Sequence, residues 1–281
     1  QKEAIQEVKY ELENIRKAWD LAIETKNIEA IQKSVMALSL FYQYQSRYLE
    51  GYRLLEEAES ILREQSPSKN NDLILVAVLS DLAWLGLRLG KINQAEQGLH
   101  ESIQLLEKHE ARPILGNCYD PRIPLGVIAT IRGDYAETAR LAEQVLQISQ
   151  SNEEIWNEMD SYYLLTRAAV LQGDFETAQG YAQKTYQLAK EHQEHWFMAY
   201  GLIELGNVAN ALGDYSTARG HFLASYQIRE DFNDPEGMAV ALNHLGGIAL
   251  KEADDQSAQA YFQRSISRRW NWPNKPGSQL G

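Results

Sequence analysis

The chain holds 281 residues, 44% hydrophobic and 10% aromatic, which is the make-up of a packed protein and not of a disordered one. Its 27 lysines and arginines stand against 39 acidic residues, and the resulting charge of −12 repels phosphate backbones and anionic lipid. No run of 18 apolar residues is present to cross a bilayer, and a single cysteine, Cys118, excludes an internal disulfide framework or a multi-cysteine zinc site.

The start, Gln1-Lys2-Glu3-Ala4, has neither an initiator Met nor a basic-then-apolar signal segment, so it reads as the edge of a piece excised from a longer, cytoplasmic protein. Residues 4–25 predict one helix, within a linker or capping segment over residues 1–27. From residue 28 an internal repeat takes over. Gly133-Asp134-Tyr135, Gly173-Asp174-Phe175 and Gly213-Asp214-Tyr215 lie 40 residues apart, with a weaker copy at Ala253-Asp254-Asp255. Backwards the pattern fades through Gly90-Lys91-Ile92 to Ser46-Arg47-Tyr48.

Upstream of each turn apolar residues recur three and four apart, as in Leu202, Leu205, Gly206 and Ala209, which is one stripe of an α-helix. Gly206 and Gly246 fall mid-helix at a cost of about 1 kcal/mol against alanine. Close approach of a partner helix, with Ala218 and Ala258 opposite, is the expected reason. Glycine at the turn suits a left-handed helix C-terminus, and the following Asp suits the next N-cap.

The predicted pairs are 28–45 with 48–64, 71–89 with 92–109, 116–132 with 135–149, 154–172 with 175–190, 195–212 with 215–231, and 235–252 with 255–269. Pro121 and Pro124 are expected to delay or kink the helix after Cys118. Residues 28–272 form the array and 273–281 a polar tail. The fold class read here is all-α, a right-handed superhelix (α-solenoid) of about six hairpins with a 40-residue period.

The string Leu-x-x-Leu-Gly-x-x-Ala, a Gly-Asp-Tyr turn and Ala-x-x-x-Phe resembles the tetratricopeptide repeat, here in units longer than the usual 34 residues. Longer units of this sort resemble the superhelices of bacterial signal-transduction ATPases with numerous domains, of the maltose-regulator type. The helix Glu11-Leu12-Glu13-Asn14-Ile15-Arg16-Lys17-Ala18-Trp19 is similar to the one joining the ATPase module to the repeats in those proteins. The resemblance implies a sensor arm that binds an inducer or partner, with an ATPase module upstream in the same polypeptide. A stand-alone scaffold holding a partner's peptide or helix is the alternative.

No cofactor motif, metal-ligand set or catalytic pair is read, so the chain is taken as non-catalytic, with no direct nucleic-acid or membrane partner. His192 and His195 straddle a predicted loop, and His221 and His244 read as packing residues. The concave groove of a tetratricopeptide unit implies, counted back from the turns, Met36, Leu40 and Tyr44, then Ser80, Trp84 and Arg88, then Asp120, Ile123 and Val127. Asp160, Tyr163 and Arg167 follow, then Tyr200, Asn207 and Asn210, with Asn243, Gly247 and Lys251 in the last hairpin. Of these, Tyr44, Trp84, Arg88, Tyr163, Arg167, Tyr200, Asn207, Asn210 and Asn243 are the candidate binding residues for a peptide, protein or small-molecule inducer. Rings with a few placed donors suit such a ligand. The same rings also suit packing between repeats, and the sequence leaves both readings open. Arg268-Arg269-Trp270-Asn271-Trp272 is expected to cap the last hairpin or to continue into a further repeat.

Overall fold

The computed structural model describes residues 2–112 and 120–270, apart from the side chains of Lys2, Ala4, Arg269 and Trp270. These residues hold helices and no strand. They divide into two compact units, residues 1–161 and 162–281. Unit 1 contains α1 (Lys2–Tyr10), α2 (Leu12–Glu24), α3 (Ile28–Tyr44), α4 (Tyr48–Glu64), α5 (Lys69–Arg88), α6 (Ile92–Lys108), α7 (Arg122–Arg132) and α8 (Tyr135–Asn152). The boundary falls inside α9 (Ile155–Gln172). Unit 2 continues with α10 (Phe175–Glu191), α11 (His195–Ala211), α12 (Tyr215–Asp231), α13 (Pro235–Lys251) and α14 (Asp255–Trp270).

The Gly-Asp turns work as their chemistry requires. Gly133, Gly173 and Gly213 all sit at φ +82°, where a side chain is strained. That geometry lets the Asp134, Asp174 and Asp214 N–H groups reach back to the Ala129, Ala169 and Ala209 carbonyls at 2.9–3.0 Å. Each Asp side chain then accepts from the backbone N–H three residues on, at Glu137, Thr177 and Thr217. The weaker copy does the same without glycine: Ala253 takes φ 58°, and Asp254 accepts from Ser257 N–H at 3.0 Å.

Two expectations change. Residues 4–25 are two helices, but the break is only a bend at Glu11, since Glu11 N–H still bonds Glu7 O and Ile15 N–H bonds Glu11 O. The third hairpin begins at Arg122, with Pro121 just before it and Pro124 in its first turn, where a missing N–H is tolerated. This is the delay the prolines demand; residues 116–119 of that predicted helix, Cys118 among them, lie outside the described residues.

Unit 1 is built on Trp19 of α2, Ile31, Val35, Phe41 and Tyr42 of α3, Leu55 and Leu62 of α4, and Ile74, Val78 and Leu85 of α5, all buried. By length and composition α5 is apolar enough to cross a membrane, yet 72% of that apolar stretch is buried inside the protein, as befits a core helix. In unit 2, α11 to α13 share Ile203, Ala218, Phe222, Tyr226, Met238, Leu242, Leu245 and Ile248.

The mid-helix glycines do mark close approach, but the partner is not the expected alanine. A Cβ on Gly206 would fall within 3 Å of the Phe222 ring, and one on Gly246 would sit 2.7 Å from that of Phe262. The ring, four residues beyond Ala218 or Ala258, lies over the glycine. Phe222 is fully buried and stacked on His244 with centroids 4.7 Å apart, whereas Phe262 is half-buried. Gly206→Ala is therefore expected to destabilise the protein by about 1–3 kcal/mol despite the better helix propensity of alanine. Gly246→Ala, whose ring has room to turn, should cost much less. Urea unfolding of the two variants separates them: equal losses would refute this account of the contact.

Candidate functional site

Unit 1 carries three of the sequence-predicted residues. Tyr44 is only 9% exposed, so it offers little of its ring to a ligand, against the groove expectation. Trp84 is half-buried, with the exposed Arg88 guanidinium 5.7 Å from its ring centroid, so these two share the open side of α5. Ser80, Asp120 and Asp160 are buried as well. Asp120 is tied to Arg122 at 2.6–2.8 Å, and its N–H donates to Asn157 Oδ1 at 3.1 Å. Counting back from a turn identifies equivalent positions on the first helices, but equivalent positions differ in exposure from one repeat to the next.

Two buried acids accompany them. Asp81 of α5 is hydrogen-bonded by Ser39, which receives Gln43 Nε2 at 3.1 Å, and burial pushes its carboxyl up to about 7. Asp160 is buried with no donor on Oδ2, and burial holds its carboxyl well above the usual range.

Unit 2 brings more of the predicted residues together. Tyr163 and Arg167 stand one turn apart on α9, and the Arg167 Nη1 donates to the Tyr163 hydroxyl at 3.3 Å. The Tyr163 ring meets Tyr200 of α11 edge-on at 5.3 Å, and Tyr200 meets Trp196 at 6.2 Å. Asn207, two turns along α11 from Tyr200, donates from Nδ2 to Glu204 Oε2 at 3.1 Å. Arg167 lies 3.6 Å from Glu204 Oε1, so Glu204 gathers Arg167 and Asn207 from two helices. Asn210 is bound instead to Lys251, at 2.7 Å, and belongs to the edge of this face. Asn243 of α13 is half-exposed beside His244.

Three residues central to this cluster escaped sequence reasoning. Arg229, 3% exposed, comes up from the end of α12 beneath the rings, its guanidinium carbon 4.2 Å from the Trp196 centroid and 4.3 Å from that of Tyr200. It donates to Asp234 Oδ2 at 2.9 Å, and Asp234 in turn caps α13 through Gly237 N–H at 3.0 Å. Burial opposes the Arg229 charge, but Asp234 and the Tyr200 hydroxyl outweigh it and hold the guanidinium protonated. Glu204 is the second, 2% exposed; burial raises its carboxyl, against the pull of Arg167 and Asn207. Trp196 is the third. The signal was in the repeat columns: positions 164, 204 and 244 read Leu, Glu and His, and positions 149, 189 and 229 read Ser, Ala and Arg. Arg229 is a charge in a column that is otherwise small, and Glu204 is an acid in a column that otherwise reads Leu and His, so each departs from plain packing.

The remaining candidates resolve simply. His192 and His195 are exposed at the α10–α11 turn, with the His195 ring 5.8 Å from that of Phe232. The C-terminal basic-aromatic segment is helical as far as Trp270, as the end of α14. Arg264 and Arg268 both reach the Tyr226 hydroxyl on α12, at 3.4 and 3.3 Å. Asn271 and Trp272 lie outside the described residues.

Residues 197–269 match the tetratricopeptide repeat family. No curated protein matches the sequence. Among solved structures the chain is similar to a Rap protein complexed with competence and sporulation factor, with a TM-score of 0.67, 17% identity, and coverage of 96% of this chain and 78% of that one. It is similar to NprR in complex with its cognate peptide NprX, at a TM-score of 0.64 and 12% identity, over 92% of this chain and 77% of that one. A signal-transduction ATPase with numerous domains from Pyrococcus horikoshii, which has a tetratricopeptide repeat sensor, matches at 0.58 and 15% identity. That match spans 93% of this chain and 42% of the larger protein. The likeness defines the fold: all-α helical-hairpin repeats of the tetratricopeptide kind.

Proposed function

We propose that the chain is a non-catalytic sensing domain of a multidomain cytoplasmic regulator, and that the face formed by the first helices of unit 2 binds a peptide. The carrying observation is the run of half-exposed rings, Tyr163, Tyr200 and Trp196, in edge contact and backed by a buried Arg229. Each such ring, already partly buried, can still gain a fraction of the roughly 1.5–3 kcal/mol that burying an exposed large side chain yields, so a ligand lying along them has a driving force ready. The amides of Asn207 and Asn243 offer both donor and acceptor to the alternating groups of a peptide backbone. Rap with its factor and NprR with its peptide support a peptide as the ligand class. The Pyrococcus sensor supports a place beside an ATPase module, with the Glu11–Trp19 helix as the join. The finer likeness to the maltose-regulator type rests on that helix.

Tyr163→Ala with Asn243→Ala tests the face while leaving the side chains of Glu204, Arg167, Arg229 and Asp234 in place, though it removes the hydroxyl that braces Arg167. Screened with a synthetic heptapeptide library, the double variant is expected to lose at least about tenfold in affinity, about 1.4 kcal/mol, for peptides the parent binds. Its helical circular dichroism and melting temperature should stay close to the parent. Binding that survives the double substitution would remove the peptide face from α9 and α13.

A further inference from the structure

The ion pair in this cluster is built in an unusual way. Glu204 is buried to 97% of its side chain, yet Oε1 has no hydrogen-bond donor; its nearest cation, Arg167 Nη1, is 3.6 Å off, an ion-pair distance without a hydrogen bond. A buried carboxylate oxygen left in this state is costly, because no protein donor replaces its lost hydration. Arg167 is 40% exposed and braced by the Tyr163 hydroxyl, so it stands between the buried acid below and the open face above. One guanidinium is thus the counter-charge for Glu204 and the first cation an incoming anion meets on this face.

We propose that Arg167 receives a carboxylate of the peptide ligand and that Glu204 takes up one proton from solvent as that carboxylate binds. This rests on the peptide reading of the same face. Before binding, Arg167 and Glu204 sum to zero. A ligand carboxylate brings a second negative charge to one guanidinium, and two anions sharing one cation in a desolvated site cannot both stay ionised. The buried, under-bonded acid is the one to give way; burial already biases it toward the neutral form. The ligand carboxylate keeps the guanidinium, and protonated Glu204 no longer needs a counter-ion.

Other titratable groups on the helices around α11 have environments of their own. Arg229 of α12 is committed to Asp234, and Lys184 of α10 lies over the Tyr162 ring at 5.0 Å. His221 of α12 is held below its ordinary range by burial, against Asp214. His244 of α13 is held below its ordinary range by burial and by Arg167 itself, and its ring is stacked on Phe222. Glu204, the acid paired with Arg167, is the site of proton uptake; Asp160 of α9 is a second buried carboxyl raised by burial, and the Glu204→Gln variant below tells the two apart.

The test uses the heptapeptide library in two forms, with free carboxylates and after methyl esterification, against the intact chain. The free form should bind at least about tenfold tighter at pH 6, and its affinity should fall by up to about tenfold per pH unit between pH 6 and 8, since one proton is taken up. Calorimetry in buffers of different ionisation heat should register that proton. Glu204→Gln should bind the free form tightly at both pH values with no proton uptake, and Arg167→Gln should lose the preference for the free form. Equal binding of the two forms, or a pH dependence that persists in Glu204→Gln, overturns this inference and leaves the peptide face standing. If neither form binds the parent chain, the peptide face falls as well.

Discussion

Replacing Arg229 by alanine is expected to destabilise unit 2 by about 3–5 kcal/mol, because it strands a buried Asp234 carboxylate with its cation gone. The loss is not confined to the pair. The guanidinium also underlies Trp196 and Tyr200 and links the end of α12 to the cap of α13. Adding Asp234→Asn to that variant should recover a substantial part of the loss. The amide can still cap Gly237 N–H, and no buried charge remains to be solvated. In a repeat array each hairpin leans mainly on its neighbours, so hydrogen exchange should rise in α11 to α13 and change little in α2 to α5. Uniform deprotection, or a double variant no more stable than the single one, would show that the pair is not the seat of the effect.

The second large effect is a pH dependence set by Asp81. Its carboxyl is raised from 3.8 to about 7 in the folded chain. Between those values the folded protein holds a proton that the unfolded chain releases, so stability falls as pH rises from about 4 to above 7. Three pKa units at about 1.4 kcal/mol each make the full swing on the order of 4 kcal/mol. Asp81→Asn fixes the neutral form and can keep the bond from Ser39. It should match the parent at pH 4 and exceed it by up to that swing at pH 8. Denaturant unfolding at both pH values checks this. A variant less stable than the parent at pH 8 would mean that the ionised carboxylate is tolerated in place.

The turns were legible because their chemistry is local: a left-handed glycine and an Asp three residues before the N–H it caps lie within six residues of one another. The repeat period carried the helix pairs, and Pro121 and Pro124 carried the late start of α7. The contact under Gly206 was half legible. The glycine announced a close approach, but whether Ala218 or Phe222 made it depends on how two helices cross. The site was less legible. Tyr163, Arg167, Tyr200 and Asn207 do come together, yet what binds them is Glu204 and Arg229, which no local pattern flags. Tyr44 and Asp160 share the spacing of the others and are buried all the same, since spacing along one helix does not fix exposure. Comparing columns 40 residues apart, and asking which holds a charge where a neighbouring repeat is apolar or small, recovers Glu204 and Arg229 of the three missed residues.

The most direct measurement is an amide and indole nuclear magnetic resonance map of the chain titrated with a peptide selected from the free-carboxylate library. The account predicts that the largest shifts fall on the Trp196 indole and on the backbone around Tyr163, Arg167, Tyr200, Asn207 and Asn243, with those of α3 and α4 nearly still. Shifts centred on the second helices, α10, α12 and α14, with the Trp196 indole unmoved, would contradict it.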